Sequence, residues 1–141
     1  MLKRFFYFSF ILFTYNAVLS GQDTQSLHLK ASFDTISESI SAEVELDIRL
    51  DKELDTLLIN AIRFDIVSLH LNGKPVLFKQ NDTALFIPLR ADLERANLEI
   101  KYLARPRKGL YFIGWQDKSE RALRQIWTQG QGIDHRHWIP H

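Results

Sequence analysis

Ile40-Ser41-Ala42-Glu43-Val44-Glu45-Leu46-Asp47-Ile48-Arg49-Leu50 puts an apolar side chain at every even position and a polar or charged one at every odd position. Period two is the signature of a β-strand with one face in a core and the other in water. A helix, at 3.6 residues per turn, would bring Glu43, Val44 and Asp47 onto overlapping faces, whereas a strand sends every charge to one side.

The same alternation is present upstream, where Leu27, Leu29, Ala31 and Phe33 interleave with His28, Lys30, Ser32 and Asp34, so a half-buried strand is expected there too. Downstream, short apolar runs at 56–60, 64–71, 76–80, 84–88, 96–103 and 110–113 read as further strands. Asn72-Gly73 is the strongest turn between them, because both residues accept positive φ and suit a tight hairpin joining Leu71 to Lys74. Asn81-Asp82 supplies a looser one. Residues 91–96 leave room for one helical turn at most, and residues 21–26 read as a flexible stretch. Short strands with connections every 8 to 12 residues specify an all-β fold, an antiparallel β-sandwich.

The chain has 141 residues, 45% hydrophobic and 25% charged, which suits one globular domain able to bury a core. Eighteen Lys and Arg against seventeen Asp and Glu leave a formal charge of +1, so nothing global directs the protein to nucleic acid or an anionic membrane. A local basic excess, eight Lys or Arg and three acids between positions 101 and 136, is spread out and reads as solvated strand and loop faces. At the N-terminus, Lys3 and Arg4 precede an apolar run over 5–18, and Ser20 and Gly21 follow. This is the pattern of a secretory signal peptide over 1–20 with cleavage near Ser20. The run falls short of the roughly 20 apolar residues that span a bilayer, so no stable membrane anchor is expected and the location is secreted or periplasmic. There is no Cys, hence no disulfide framework and no lipidated tether. Asn81-Asp82-Thr83 fits the glycosylation acceptor pattern, a three-residue match that arises often by chance.

The most specific stretches lie near the C-terminus: Gly109-Leu110-Tyr111-Phe112-Ile113-Gly114-Trp115, then Gln125-Ile126-Trp127-Thr128-Gln129-Gly130-Gln131-Gly132, then Arg136-His137-Trp138-Ile139-Pro140. In order and spacing they resemble the aminopeptidase N family of zinc metallopeptidases. There the first domain, a saddle-like β-sandwich, ends in a Thr-Gln-x-Glu/Gln element and an Arg-x-x-(aromatic or apolar)-Pro segment leading into the catalytic domain. The resemblance implies that residues 21–141 are this non-catalytic domain, ending short of the catalytic one. It further implies that Gln129 and Gln131 are substrate-binding residues, contacting the peptide's N-terminal amine and capping the active site from one side. Many relatives carry Glu where Gln131 stands, so here a carbonyl dipole replaces a carboxylate, and charge-assisted hydrogen bonds are about twice as strong as neutral ones.

Catalysis by this chain alone lacks its parts. A zinc peptidase of this type needs two His one helical turn apart with a Glu between them as base. None of the five His has Glu beside it, and the Gly-x-Met-Glu-Asn element of the family is missing because the only Met is Met1. The expectation is no cofactor in this chain, zinc belonging to the family's catalytic domain. His135, His137 and His141, with Asp134, are the one set worth weighing as a separate metal site. His135 and His137 would share a face were the segment extended, but no second shell supports them, and a polar loop is the simpler reading. Tyr111, Phe112, Trp115, Trp127 and Trp138 could form an aromatic platform, but packing is the stronger reading. Trp138 and Ile139 would form an exposed apolar patch without a following domain. The competing assignment is a free-standing secreted binding module for a peptide, glycan or protein, since sandwiches host many functions. Such a module has no need of the 128–131 element.

Overall fold

The computed structural model describes residues 21–119 and 121–141; the signal-peptide reading of 1–20 lies outside them. The strands are β1 (Gln22–Asp34), β2 (Ser39–Leu50), β3 (Thr56–Asn60), β4 (Asp65–Leu71), β5 (Lys74–Pro75), β6 (Lys79–Gln80), β7 (Ala84–Pro88), β8 (Arg95–Ala104), β9 (Leu110–Ile113) and β10 (Gln125–Thr128), followed by a 3-10 turn, η1 (Asp134–His137). They form a five-stranded sheet in the order β1-β2-β8-β4-β5, a three-stranded sheet β3-β7-β6 and a two-stranded ribbon β10-β9. Every pairing is antiparallel.

The decisive stretch is β2, central in both sequence logic and structure. Its even positions are buried, and β8 brings matching apolar residues opposite them: Val44 faces Ile100, Leu46 faces Leu98 and Ala42 faces Tyr102. Leu57 and Ile59 of β3 and Leu85 and Ile87 of β7 close the same core from the smaller sheet. No charged or polar residue is buried among the described residues. The odd positions of β2 form a polar outer face. Asn97 Nδ2 donates to Glu45 Oε1 (2.8 Å) and Asp47 Oδ1 (3.0 Å), Ser26 Oγ donates to Asp47 Oδ2 (2.9 Å), and Lys101 Nζ lies 3.5 Å from Glu43.

The Asn72-Gly73 turn forms as the pair suggests, with φ of 51° and 73° and Leu71 paired to Lys74. Four expectations are corrected. Residues 21–26 are not a flexible stretch: β1 begins at Gln22, Gly21 N–H donates to Asp51 Oδ2 (2.6 Å), and Leu58 N–H donates to Gln22 Oε1 (2.9 Å). β1 is an edge strand, so Leu27 and Phe33 stay about two-fifths exposed although they sit on the core side of the sheet. The 76–80 run is not one strand; Val76 and Phe78 pack partly buried between β5 and β6, where the chain passes from one sheet to the other. Residues 91–96 hold a turn rather than a helical one, and β8 has started by Arg95.

Candidate functional site: the loop after β10

β10 was not legible as a strand, yet it leads into the loop that holds Gln129 and Gln131. It pairs with β9, Thr128 opposite Leu110 and Trp127 opposite Tyr111, and the Tyr111 and Trp127 rings meet at 5.8 Å. One further bond extends the ladder: Gln129 N–H donates to Gly109 O (3.1 Å). Gly109 has φ of 76°, and a Cβ there would stand 2.5 Å from the Asp134 carbonyl oxygen, so a side chain is excluded where β9 meets η1. The His135 ring lies across the backbone of Gly130, close enough that any Cβ would overlap it.

Gln129 and Gln131 therefore sit in a short exposed loop whose two ends are fixed. Neither amide side chain makes a hydrogen bond among the described residues, which leaves two carbonyl oxygens and two NH2 groups for a ligand. The chemistry available is neutral hydrogen bonding, with the carbonyl oxygens able to accept from an ammonium.

Beyond the loop, the chain folds back onto the core. Asn60 and His141 exchange backbone hydrogen bonds (2.7 and 3.2 Å), and Ile62 N–H donates to Arg136 O (2.9 Å). Tyr102 is the link to the interior. Its ring stacks on Phe64 at 4.6 Å and its hydroxyl donates to the Trp138 carbonyl (2.6 Å), while burial pushes its pKa well above the ordinary phenol value. Trp138 and Ile139 consequently do not form an exposed patch: Trp138 packs on the core and Ile139 is half-buried. Phe112 also packs on the core, whereas Trp127 stays about half exposed.

The residues weighed as a metal set do not fit one. The segment is a 3-10 turn rather than extended, and at three residues per turn His135 and His137 point apart. His135 packs on Trp138 (6.1 Å between rings), His141 Nδ1 lies 3.2 Å from Ile139 O, and His137 faces elsewhere, toward Ile62, Arg63 and Arg105. Among the described residues, no three His, Asp or Glu side chains are grouped to hold a metal ion. A zinc site is not built from these residues.

The sequence reading missed a second feature. Arg105 and Arg107 belong to the local basic excess and are exposed, as solvated loop faces would be, yet together with His137 and with Arg63 from the β3–β4 loop they line one groove. Arg63 is more than 40 positions away from the others in sequence, so no local pattern could have revealed the convergence.

The antiparallel, nearly all-β fold is that of the first, β-sandwich domain of M1-type peptidases. The model of the Peptidase M1 N-terminal domain matches residues 14–141, and the chain belongs to that family. Among solved structures, LTA4 hydrolase from the yeast Saccharomyces cerevisiae is similar with a TM-score of 0.71 and 17% identity, over 85% of this chain and 20% of that one. A mutant M1 zinc metallopeptidase from Deinococcus radiodurans bound to a Tyr-Ser-Ala substrate gives 0.64 and 18%, over 85% and 29%. Aminopeptidase A from Legionella pneumophila, in complex with aspartic acid, gives 0.66 and 13%, over 86% and 14%. At these identities the likeness speaks for the fold. The chain spans about a fifth of the length of the LTA4 hydrolase it matches. No curated protein sequence matches it.

Proposed function

We propose that this chain is the non-catalytic N-terminal domain of an exported zinc aminopeptidase, which caps the active site and meets the substrate's N-terminal amine through Gln129 and Gln131. The observation that carries the reading is the loop itself, fixed at Gln129 N–H and under the His135 ring while both glutamine side chains stay exposed and unpaired. A peptide as ligand is supported by the Tyr-Ser-Ala substrate of the similar metallopeptidase. Zinc and the general base come from a catalytic domain outside residues 1–141, since Asp134, His135, His137 and His141 do not fit a metal site. The near-neutral charge argues for no nucleic-acid partner, and the short apolar run over 5–18 argues for a secreted or periplasmic protein, cleaved near Ser20 and without a stable membrane anchor.

Two measurements test this. The purified chain should give no turnover of aminoacyl chromogenic substrates with or without added zinc; zinc-dependent turnover that tracks the protein would overturn the non-catalytic reading. When the chain is joined to the catalytic domain of a metallopeptidase relative, Gln131→Glu should lower KM for free-amine peptides by about three- to tenfold, because a carboxylate strengthens the hydrogen bond to an ammonium. N-acetylated peptides should not respond. An equal change for both would place Gln131 away from the amine.

A further inference from the structure

The groove lined by Arg63, Arg105, Arg107, His137, Thr83 and Asp82 measures about 500 Å³. It lies between the β3–β4 loop, the β6–β7 turn, the β8–β9 loop and η1. Its lining includes three arginines and one aspartate, all exposed. Among the described residues the ion pairs are Arg49–Asp23, Lys52–Glu94 and Lys101–Glu43, so none of the groove arginines is neutralised by a neighbour. Like charges gathered without counter-charges repel one another, so an anion placed among them is favoured.

The walls are held by backbone bonds rather than by chance contacts. Arg63 N–H donates to Asp82 O (3.1 Å), Ala61 N–H to Thr83 O (2.9 Å) and Ile62 N–H to Arg136 O (2.9 Å), tying three of the four segments together. Arg63 itself has φ of 55°, the left-handed region that a residue with a long side chain seldom occupies. Glu38, Asn72 and Asp92 share that region, and at Arg63 the surrounding backbone bonds hold it in place.

We propose that this groove binds a polyvalent oxyanion, a ligand carrying two or more phosphate or carboxylate groups. Guanidinium forks match both groups bidentately, and three of them around one cavity call for more than one anionic group. The volume points the same way, since it lies in the range of small-molecule sites and exceeds what one simple anion fills. The proposal is independent of the role of Gln129 and Gln131. The oxyanion could be a free small molecule or the side chains of an acidic polypeptide segment.

His137 supplies a built-in reporter. Burial is the main cause that lowers its pKa, with Lys108, Arg136 and Arg63 adding to the effect and Asp134 opposing it. A bound anion must therefore raise it. The test is a two-dimensional NMR titration of the full chain with sodium pyrophosphate, ionic strength being held constant with sodium chloride, and in parallel with a hexaglutamate peptide. Saturating shifts at Thr83, Arg105, Arg107 and His137, with a rise in the His137 pKa, are expected for at least one of the two; whichever saturates identifies the source. The double variant Arg105→Ser, Arg107→Ser changes two exposed loop residues and should weaken binding roughly tenfold or more. Shifts that never saturate with either probe, that persist unchanged in the double variant, or that instead follow Lys118, Arg121 and Arg124 would overturn the proposal.

Discussion

The sandwich core and the C-terminal arm, residues 109–141, are held by different physics. In the core, Val44, Leu46, Leu98, Ile100, Leu85 and Ile87 are fully shielded from water, and burial of apolar area supplies the stability. The arm has little interior of its own. Its two-stranded ribbon is hydrogen-bonded to neither larger sheet, Ile133 and Trp127 are about half exposed, and His135 Nδ1, Arg136 Nε and Trp138 Nε1 are buried without hydrogen-bond partners. A lone two-stranded ribbon is marginal in water, so the arm takes its position from the core. It does so through the Tyr102 hydroxyl, the Asn60–His141 bond pair, the Ile62–Arg136 bond, and the packing of Leu110, Phe112 and Trp138 on the core. The contrast places stability in one region and an exposed loop in the other.

If the division is real, core and arm variants should separate cleanly. Leu46→Ala, at the centre of β2, should cost about 3 kcal/mol in urea unfolding and destabilise every probe alike. Gly109→Ala should cost roughly 1–3 kcal/mol, since it needs a left-handed φ and meets the Asp134 carbonyl, and its effect should concentrate in η1 and the ribbon. Tyr102→Phe should cost about 1 kcal/mol, loosening the amides near Trp138 while the β2 and β8 amides keep their relative protection. A pH effect comes next. Because the folded state holds the His137 pKa below 6.5, the unfolded chain takes up the proton first; stability is intact above that value and declines as pH falls from about 6.5 through the folded pKa. His137→Gln should flatten that part of a thermal-melt profile. Gln131→Glu, exposed and unpaired, should leave stability within about 0.5 kcal/mol.

Period two carried most of the core in plain view. The alternation over 40–50 specified β2 and its buried face, and the Asn72-Gly73 pair specified its hairpin, because both signals are local. The signal weakened where tertiary context decides. The 76–80 run crosses between sheets, which no local pattern encodes, and β1 shows the same alternation as β2 yet stays half exposed because it lies at an edge. Gln125–Thr128 is too short for its period to be read, so β10 emerged only through its pairing with β9. Gln129 and Gln131 were singled out through a contiguous motif. The basic groove was not, because it is assembled from positions 63, 82, 105, 107 and 137.

Native-state hydrogen exchange on the intact chain tests the division most directly. The account predicts that β2 and β8 amides exchange only through global unfolding, while those of residues 125–141 open earlier as a unit and earlier still in Tyr102→Phe. Arm amides as slow as those of β2, and unmoved by Tyr102→Phe, would contradict it.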